Sequence, residues 1–222
     1  QTGWVWQNPL PQGNTIQSIW FTSPSTGIAV GGAGTILRTT NSGTSWEIMN
    51  SGTTNVLYSV YFIDANTGAA AGAEGTILRT TNGGLNWSTQ SAGTFVTLIS
   101  IHFINANTGT AVGEGGTILR TTNNGANWST QNSGIPNMLY SVFFSDANLG
   151  TVVGEAGKTL RTTNGGTNWI PQISGVSSFL LDVFFTDVNT GFAVGVLGKI
   201  LKTTNGGFSW VSQASGTTNI LF

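Results

Sequence analysis

The hydrophobic and polar positions of the chain follow a short alternating pattern. In the unit at 58–90, an aromatic and β-branched run, "YSVYF", is followed by the polar "DANTG" and by the small-residue run "AAAGA". Asp and Asn bond their own backbone and Gly accepts positive φ, so the polar stretch predicts a tight turn. The runs "TILRTT" and "NWSTQ", separated by "NGG", predict a hairpin. No 3.6-residue apolar period is sustained, so the pattern predicts four short strands and almost no helix.

This pattern returns every 41 residues without insertion or deletion, for example from Trp46 to Trp87. Four strands in a repeat of about 40 to 45 residues are typical of a propeller blade. One such sheet has two apolar faces and cannot bury them alone, so blades stack around an axis. The sequence therefore predicts one all-β domain over residues 1–222, a five-bladed β-propeller of 41-residue, four-stranded blades.

The predicted blades account for most of the chain and leave a segment at each end. The blades are expected at about 18–50, 51–91, 92–132, 133–173 and 174–214. The segment 1–17 is expected to hold an extra strand, because Trp4 and Gln7 repeat the spacing of Trp87 and Gln90. The tail 215–222, "SGTTNILF", nearly copies 51–58.

The two end segments have three alternative interpretations. The N-terminal strand closes the ring on the last blade, or it pairs with a neighbouring molecule through a free sheet edge, or the chain is a processed piece of a longer array. For the second alternative the expected assembly residues are Trp4, Trp6, Gln7, Ile220, Leu221 and Phe222.

Composition narrows the expected partners. Only 7% of the 222 residues are charged, against about 25% in an average soluble domain, and the net charge is −1. Such a surface has no basic field for a phosphate backbone, which argues against nucleic acid. No apolar run reaches the roughly 18 residues of a membrane-spanning helix. The chain has no Cys and begins at Gln1, and we interpret that start as a processed N-terminus of a secreted or cell-surface protein.

One motif recurs in every unit, with Thr80 two residues before Asn82, Gly84 two after it and Trp87 five after it. Its spacing resembles the Asp-box of the BNR-type propellers, a group that includes sialidases, sortilin-like receptors and the photosystem II assembly-factor family. The stretch "GTILRTTNGG", followed by Trp, is most similar to the photosystem assembly-factor branch and its secreted bacterial relatives.

The motif is expected to be structural. Asn can accept backbone N–H groups across the turn, Gly takes a conformation other residues resist, and Trp fills the gap between blades. Asn stands where the family usually has Asp, which argues against calcium binding or general-acid chemistry. The predicted turn motif comprises Asn41, Asn82, Asn123, Asn164 and Asn205 with Trp46, Trp87, Trp128, Trp169 and Trp210.

The resemblance to sialidases raises the question of glycoside cleavage. That chemistry implies three arginines converging on a substrate carboxylate, a tyrosine nucleophile with its glutamate, and an acid/base aspartate. The four arginines occupy one repeat position and are spread around the ring, so we predict no catalytic residue. The repeated basic residues are expected to cap strand ends or stack on blade tryptophans, or alternatively to form a positive ring that binds an acidic partner. They are Arg38, Arg79, Arg120, Arg161 and Lys202.

Two single residues are candidates for chemistry, and both have structural interpretations. His102, the one histidine, occupies a repeat position held elsewhere by Trp20, Tyr61, Phe143 and Phe184. Asp182 replaces a serine that recurs on the first strand, which we expect to be the innermost strand, so that a small polar ring faces the central channel. The sequence thus predicts no catalytic, metal or cofactor site.

The expected function is a non-catalytic extracellular scaffold that binds other copies of itself or another protein and assembles through its terminal strands. The alternative is a partner-binding assembly factor like the family it resembles. A carbohydrate-binding or sialidase-like propeller is the third alternative.

Overall fold

The structure, a computed structural model, describes residues 13–222. The predicted assembly residues Trp4, Trp6 and Gln7 lie outside this range. Within this range, twenty strands form five separate four-stranded antiparallel sheets, and the strands of each sheet are adjacent in chain order. The prediction of an all-β, five-bladed propeller is confirmed.

The strand bounds repeat from blade to blade. Blade 1 has β1 (Ile16–Phe21), β2 (Gly27–Gly31), β3 (Ile36–Thr39) and β4 (Glu47–Met49). Blade 2 has β5 (Leu57–Phe62), β6 (Gly68–Gly72), β7 (Ile77–Thr80) and β8 (Ser88–Gln90). Blade 3 has β9 (Leu98–Phe103), β10 (Gly109–Gly113), β11 (Ile118–Thr121) and β12 (Ser129–Gln131). Blade 4 has β13 (Leu139–Phe144), β14 (Gly150–Gly154), β15 (Thr159–Thr162) and β16 (Ile170–Gln172). Blade 5 has β17 (Leu180–Phe185), β18 (Gly191–Gly195), β19 (Ile200–Thr203) and β20 (Val211–Gln213).

A single 3-10 turn joins the second and third strands of every blade. The turns are Gly32–Gly34, Ala73–Gly75, Glu114–Gly116, Glu155–Gly157 and Val196–Gly198. The last glycine of each turn has positive φ, and the backbone leading to the next blade passes directly over it. A Cβ on Gly75 would lie 2.0 Å from the carbonyl oxygen of Thr94. Only glycine permits both the conformation and the approach.

Consecutive blades pack face to face through apolar side chains. Between blades 1 and 2, the positions of Ile28, Val30 and Ile36 meet a surface that includes Leu57 and Phe62. We call the first set the leading face of a blade and the second, which also includes Val60, the receiving face. Equivalent clusters join blades 2 to 3, 3 to 4 and 4 to 5. The hydrophobic core is therefore a series of blade-to-blade interfaces.

Within residues 13–222 the structure contains no α-helix, and hence no helix long and apolar enough to cross a membrane. The same residues contain no group of three or more His, Asp or Glu side chains arranged to hold a metal ion.

Candidate functional site

The first strands of the five blades line a central groove of about 730 Å³. Two side-chain positions, two residues apart on each strand, supply most of its chemistry. One position is small and polar and the other is aromatic. The polar position is held by Ser18, Ser59, Ser100, Ser141 and Asp182, and the aromatic position by Trp20, Tyr61, His102, Phe143 and Phe184.

The serines tie each blade to the next. The backbone N–H of Val60 donates to Ser18 Oγ at 3.3 Å, and that of Val183 donates to Ser141 Oγ at the same distance. Equivalent bonds join the intervening blades. At the end of the series, Ser141 Oγ donates to Asp182 Oδ1 at 2.7 Å. Asp182 is exposed, so its carboxylate gives the groove a negative charge at blade 5.

The aromatic positions form a continuous ladder across all five blades. Successive ring centroids are 4.6, 4.5, 5.1 and 4.9 Å apart from the Trp20 end to the Phe184 end. These spacings and tilted or edge-on geometries are favourable for aromatic pairs. The rings at the two ends are more open to solvent than the centre, and Phe184 is 55% exposed.

His102 is the central rung of this ladder. Its side chain is buried between Tyr61 and Phe143, and burial lowers its pKa to about 4. At neutral pH the imidazole is therefore uncharged and behaves as another aromatic ring. Its Nδ1 atom is buried without a hydrogen-bond partner among the described residues.

Both charged groups that line the groove are carboxylates, those of Asp146 and Asp182. Asp146 Oδ1 accepts the backbone N–H groups of Asn148 and Leu149, each at 2.7 Å, and so closes its own turn. Asp182 accepts the Ser141 hydroxyl. The groove thus combines aromatic rings, hydroxyl groups and a negative charge, with no cation among the described residues that line it.

The repeated Asn motif forms a compact turn between the third and fourth strands. In blade 2, Asn82 Oδ1 accepts the Thr80 hydroxyl and the backbone N–H of Asn86, both at 3.0 Å. Thr80 Oγ1 in turn accepts the N–H of Gly84 at 3.0 Å, and Trp87 Nε1 donates to the Gly84 carbonyl at 3.1 Å. The Asn and Thr bonds recur in all five blades.

The motif tryptophans pack edge-on against the last residue of the first strand in their own blade, as Trp87 does on Phe62 with centroids 6.0 Å apart. Every one of these motif residues is engaged in the fold, away from the groove lining.

The structure does not bring the basic residues into the groove. Arg38 Nε donates to the Gly83 carbonyl of the next blade at 2.9 Å, and Arg120 and Arg161 make the same bond two and three repeats further on. Arg79 donates instead through Nη2 to the Ala106 carbonyl at 3.2 Å.

Arg79 and Arg161 are buried, and burial lowers the pKa of both guanidinium groups. Lys202, in the last blade, has its Nζ 5.7 Å from the ring centre of Phe192. Binding of an acidic partner by these residues stays a prediction.

The C-terminal tail follows the route that leads into a next blade. The backbone N–H of Gly198 donates to the Asn219 carbonyl at 2.7 Å, and that of Leu221 donates to the Gly195 carbonyl at 3.1 Å. Ile220 and Phe222 are exposed. A role for these three terminal residues in assembly stays a prediction.

Sequence reasoning anticipated the polar ring and the aromatic positions, but it missed the destination of the arginines. The signal available was their fixed distance from the glycines of the next motif: Arg38 and Gly83 are 45 residues apart, as are Arg120 and Gly165. It also missed that the aromatic positions stack into one ladder.

The meandering four-stranded blades, the repeated Asn turns and the central groove define a β-propeller of the BNR type. Within this class, the chain belongs to the family described as photosynthesis system II assembly factor YCF48, whose profile matches residues 44–175. The resemblance noted from the sequence is confirmed. A comparison with curated proteins gives no match.

Solved structures of similar fold include two YCF48 proteins. YCF48 bound to D1 peptide is 21% identical with a TM-score of 0.51, over 91% of this chain and 82% of that one. YCF48 from Cyanidioschyzon merolae is 17% identical with a TM-score of 0.61, over 96% and 88%. An ancestral GH74 enzyme is 20% identical with a TM-score of 0.77, over 98% of this chain but 34% of the enzyme. At these identities the likeness shows the fold alone.

Proposed function

We propose that this protein is a non-catalytic propeller that binds an exposed segment of a partner protein in its central groove. The observation that carries the proposal is a groove whose aromatic ladder is partly open to solvent, most of all at Phe184, beside the exposed carboxylate of Asp182. Membership of a family described as an assembly factor supports it, as does the similar fold of a YCF48 bound to D1 peptide.

The groove chemistry favours a particular kind of segment. Aromatic faces attract apolar side chains and also cations, and a carboxylate in the same groove strengthens the attraction for Lys, Arg or a free amino group. Among residues 13–222, those that line the groove supply no cation to hold an acidic ligand. We therefore expect a segment with apolar side chains and at least one basic group.

The absence of catalysis is part of this proposal. The two groove carboxylates are bound to a turn and to a neighbouring hydroxyl, and His102 is buried and neutral at neutral pH. Most glycosidases use two carboxyl groups that flank a scissile bond and act as acid and as base or nucleophile, and the sialidase alternative needs three converging arginines, which the described residues of the groove lining lack. The GH74 likeness shows the fold and not these groups.

Selection of phage-displayed random peptides on the full chain, followed by calorimetric titration, tests the proposal. Enriched peptides should carry aromatic or aliphatic residues with a Lys or Arg. Phe184→Ala should weaken their binding by about tenfold, equivalent to about 1.4 kcal/mol, because it removes an exposed groove ring. Phe208→Ala is the matched control, since Phe208 is also in blade 5 and is 61% exposed but lies outside the groove.

Asp182→Asn should remove the preference for basic peptides while leaving the fold intact, because Asn keeps an oxygen that can accept the Ser141 hydroxyl. Equal affinities for the Phe184→Ala and Phe208→Ala variants would show that the peptides bind elsewhere. Failure to enrich any peptide would overturn the groove as a peptide site.

A self-associating scaffold is a second candidate. One observation favours it: apolar residues of the interblade faces are exposed on blade 1 and partly exposed on blade 5. A surface with 7% charged residues adds little electrostatic repulsion between copies.

A further inference from the structure

The four interblade interfaces share one design. Each leading face presents an apolar side chain at the position of Val30. At the position of Ile36 it presents isoleucine or, in blade 4, the buried Thr159. Each receiving face presents Leu, an aliphatic residue and Phe at the positions of Leu57, Val60 and Phe62. In the covered blades 2 to 5, the residues at these receiving positions are at most 6% exposed. Burial of this kind is the main stabilising contribution to stacked repeats.

The receiving face of blade 1 has the same residue types without the same burial. Ile16, Ile19 and Phe21 are 41%, 52% and 43% exposed, whereas Leu57, Val60 and Phe62 one repeat later are 0%, 3% and 3% exposed. Since the backbone pairing of β1 with β2 matches that of β5 with β6, the difference comes from what lies over the strand.

The leading face of blade 5 is open in the complementary way. Val194 and Ile200 are partly exposed, whereas Val30 and Ile36 at the same positions in blade 1 are fully buried. Phe192 and Lys202 lie on the same side and are also partly exposed. Within the described residues of one chain, the two open faces do not cover each other.

Polar groups at the two open faces are complementary as well. In blade 4, Ser141 accepts the backbone N–H of Val183 from the next blade. Asp182 is the blade 5 residue equivalent to Ser141, and Ile19 is the blade 1 residue equivalent to Val183. A blade 1 receiving face placed on blade 5 would therefore bring the N–H of Ile19 to the Asp182 carboxylate. Lys202 is the blade 5 residue equivalent to Arg38, which donates to the Gly83 carbonyl of the next blade. In the same contact Lys202 would donate to the carbonyl of Ser42, the blade 1 residue equivalent to Gly83. Each of these hydrogen-bond donors and acceptors on one open face therefore has a partner on the other.

We propose that copies of this protein associate head to tail, with the receiving face of blade 1 in one copy seated on the leading face of blade 5 in another. The contact continues the four interfaces already present within the chain and uses the same residue positions. It is heterologous, so it leaves one open face at each end of the pair and permits further addition. It gives the scaffold candidate its contact surface and does not depend on peptide binding in the groove.

Sedimentation velocity of the full chain over a concentration series tests this contact. The average mass of the wild type should rise with concentration. Ile19→Glu and Ile200→Glu, one on each open face, should each remain monomeric because a carboxylate would be buried in the contact. Ile48→Glu is the matched control: Ile48 is 58% exposed in blade 1, and its equivalents Thr89, Thr130, Pro171 and Ser212 are exposed in every other blade.

Mixing the two face variants separates this contact from any other. The Ile19→Glu protein keeps an intact blade 5 face and the Ile200→Glu protein keeps an intact blade 1 face, so an equimolar mixture should form dimers and stop there. Dimers in the mixture also show that both variants are folded.

A wild type that stays monomeric at all concentrations would overturn the proposal. So would association that survives either face substitution, or a mixture of variants with native circular dichroism that remains monomeric. The peptide titration is a separate measurement, so failure of this contact leaves the groove proposal standing.

Discussion

The interior blades and the end blades carry nearly the same sequence but differ in what covers them. Phe103, in blade 3, is 2% exposed, and Phe21, at the same repeat position in blade 1, is 43% exposed. Both end a first strand, and both pack edge-on against the motif tryptophan of their own blade. The difference teaches that burial in this fold is a property of neighbouring blades and not of the residue or its strand.

The largest expected effect comes from emptying these two equivalent positions. Phe103→Ala should lower the free energy of unfolding by about 3 to 5 kcal/mol, because it leaves a cavity in a closed interface. Phe21→Ala should cost much less, since solvent already reaches the ring. Urea unfolding of both variants beside the wild type measures the difference, and equal losses would mean that blade 1 is as well covered as blade 3.

Two glycines with the same backbone conformation provide a second test. Gly75 and Gly93 have φ of 66° and 70°, but a Cβ on Gly75 meets the Thr94 carbonyl oxygen at 2.0 Å, whereas one on Gly93 meets nothing within 4 Å. Gly93→Ala should cost about 1 kcal/mol from the left-handed conformation alone. Gly75→Ala should cost about 2 to 4 kcal/mol because it also displaces the connection to the next blade. Similar unfolding midpoints would contradict this crowding.

The ladder histidine makes stability depend on pH in a predictable direction. The pKa of His102 is about 4 in the folded protein, against about 6.5 in an unfolded chain. Between these two pH values the unfolded chain binds a proton that the folded protein does not bind. The free energy of unfolding is therefore unaffected by protonation of His102 above about pH 6.5 and decreases as the pH falls toward 4. The loss should be about 2 kcal/mol between pH 7 and pH 5.

Moving the histidine to the end of the ladder sharpens that test. His102→Phe should remove this part of the pH dependence, and the double variant His102→Phe with Phe184→His should not restore it, because position 184 is 55% exposed. Urea unfolding at both pH values checks the prediction. A double variant that loses as much stability at low pH as the wild type would show that position 184 is as well shielded from solvent as position 102.

The smallest effect is expected at Lys202, for which Arg161 at the equivalent position of blade 4 is the comparison. Arg161→Gln should cost about 1.5 to 3 kcal/mol, because a buried guanidinium loses its bond to the Gly206 carbonyl. Lys202→Gln should be close to neutral in dilute solution, where the leading face of blade 5 is open. Thermal unfolding compares the two, and an equal drop in midpoint would indicate that Lys202 has a partner within its own chain.

Much of this arrangement could be predicted from local chemistry. The 41-residue step, the four strands and the Asn turns follow from side-chain patterns and turn preferences that act within one blade. The polar ring could be predicted because Asp182 and the repeated serines lie on the first strand. These features do not depend on which blade comes next.

What could not be predicted depends on geometry between blades. The bond from Arg38 to the Gly83 carbonyl requires the rotation that relates one sheet to the next, and no single repeat contains that information. The exposure of Ile16 and Ile19 is equally hidden, because their sequence context is the same as that of buried residues one repeat later. The depressed pKa of His102 follows from its central place in the ladder, between neighbours that are also aromatic.

The arginine bonds between blades end on main-chain carbonyls, at Gly83, Gly165 and Gly206. Arg79, whose equivalent acceptor residue is Asn124, donates to the main-chain carbonyl of Ala106 instead. All four arginines therefore end on a main-chain acceptor of the next blade, and none needs a matched side chain in the adjoining unit. A tandem gene duplication that copies one 41-residue unit therefore also copies the groups that form this interblade bond. The two flanking units can then bond to the copy without further mutation. Such a protein can lengthen in evolution by whole blades, without first passing through a poorly fitted intermediate.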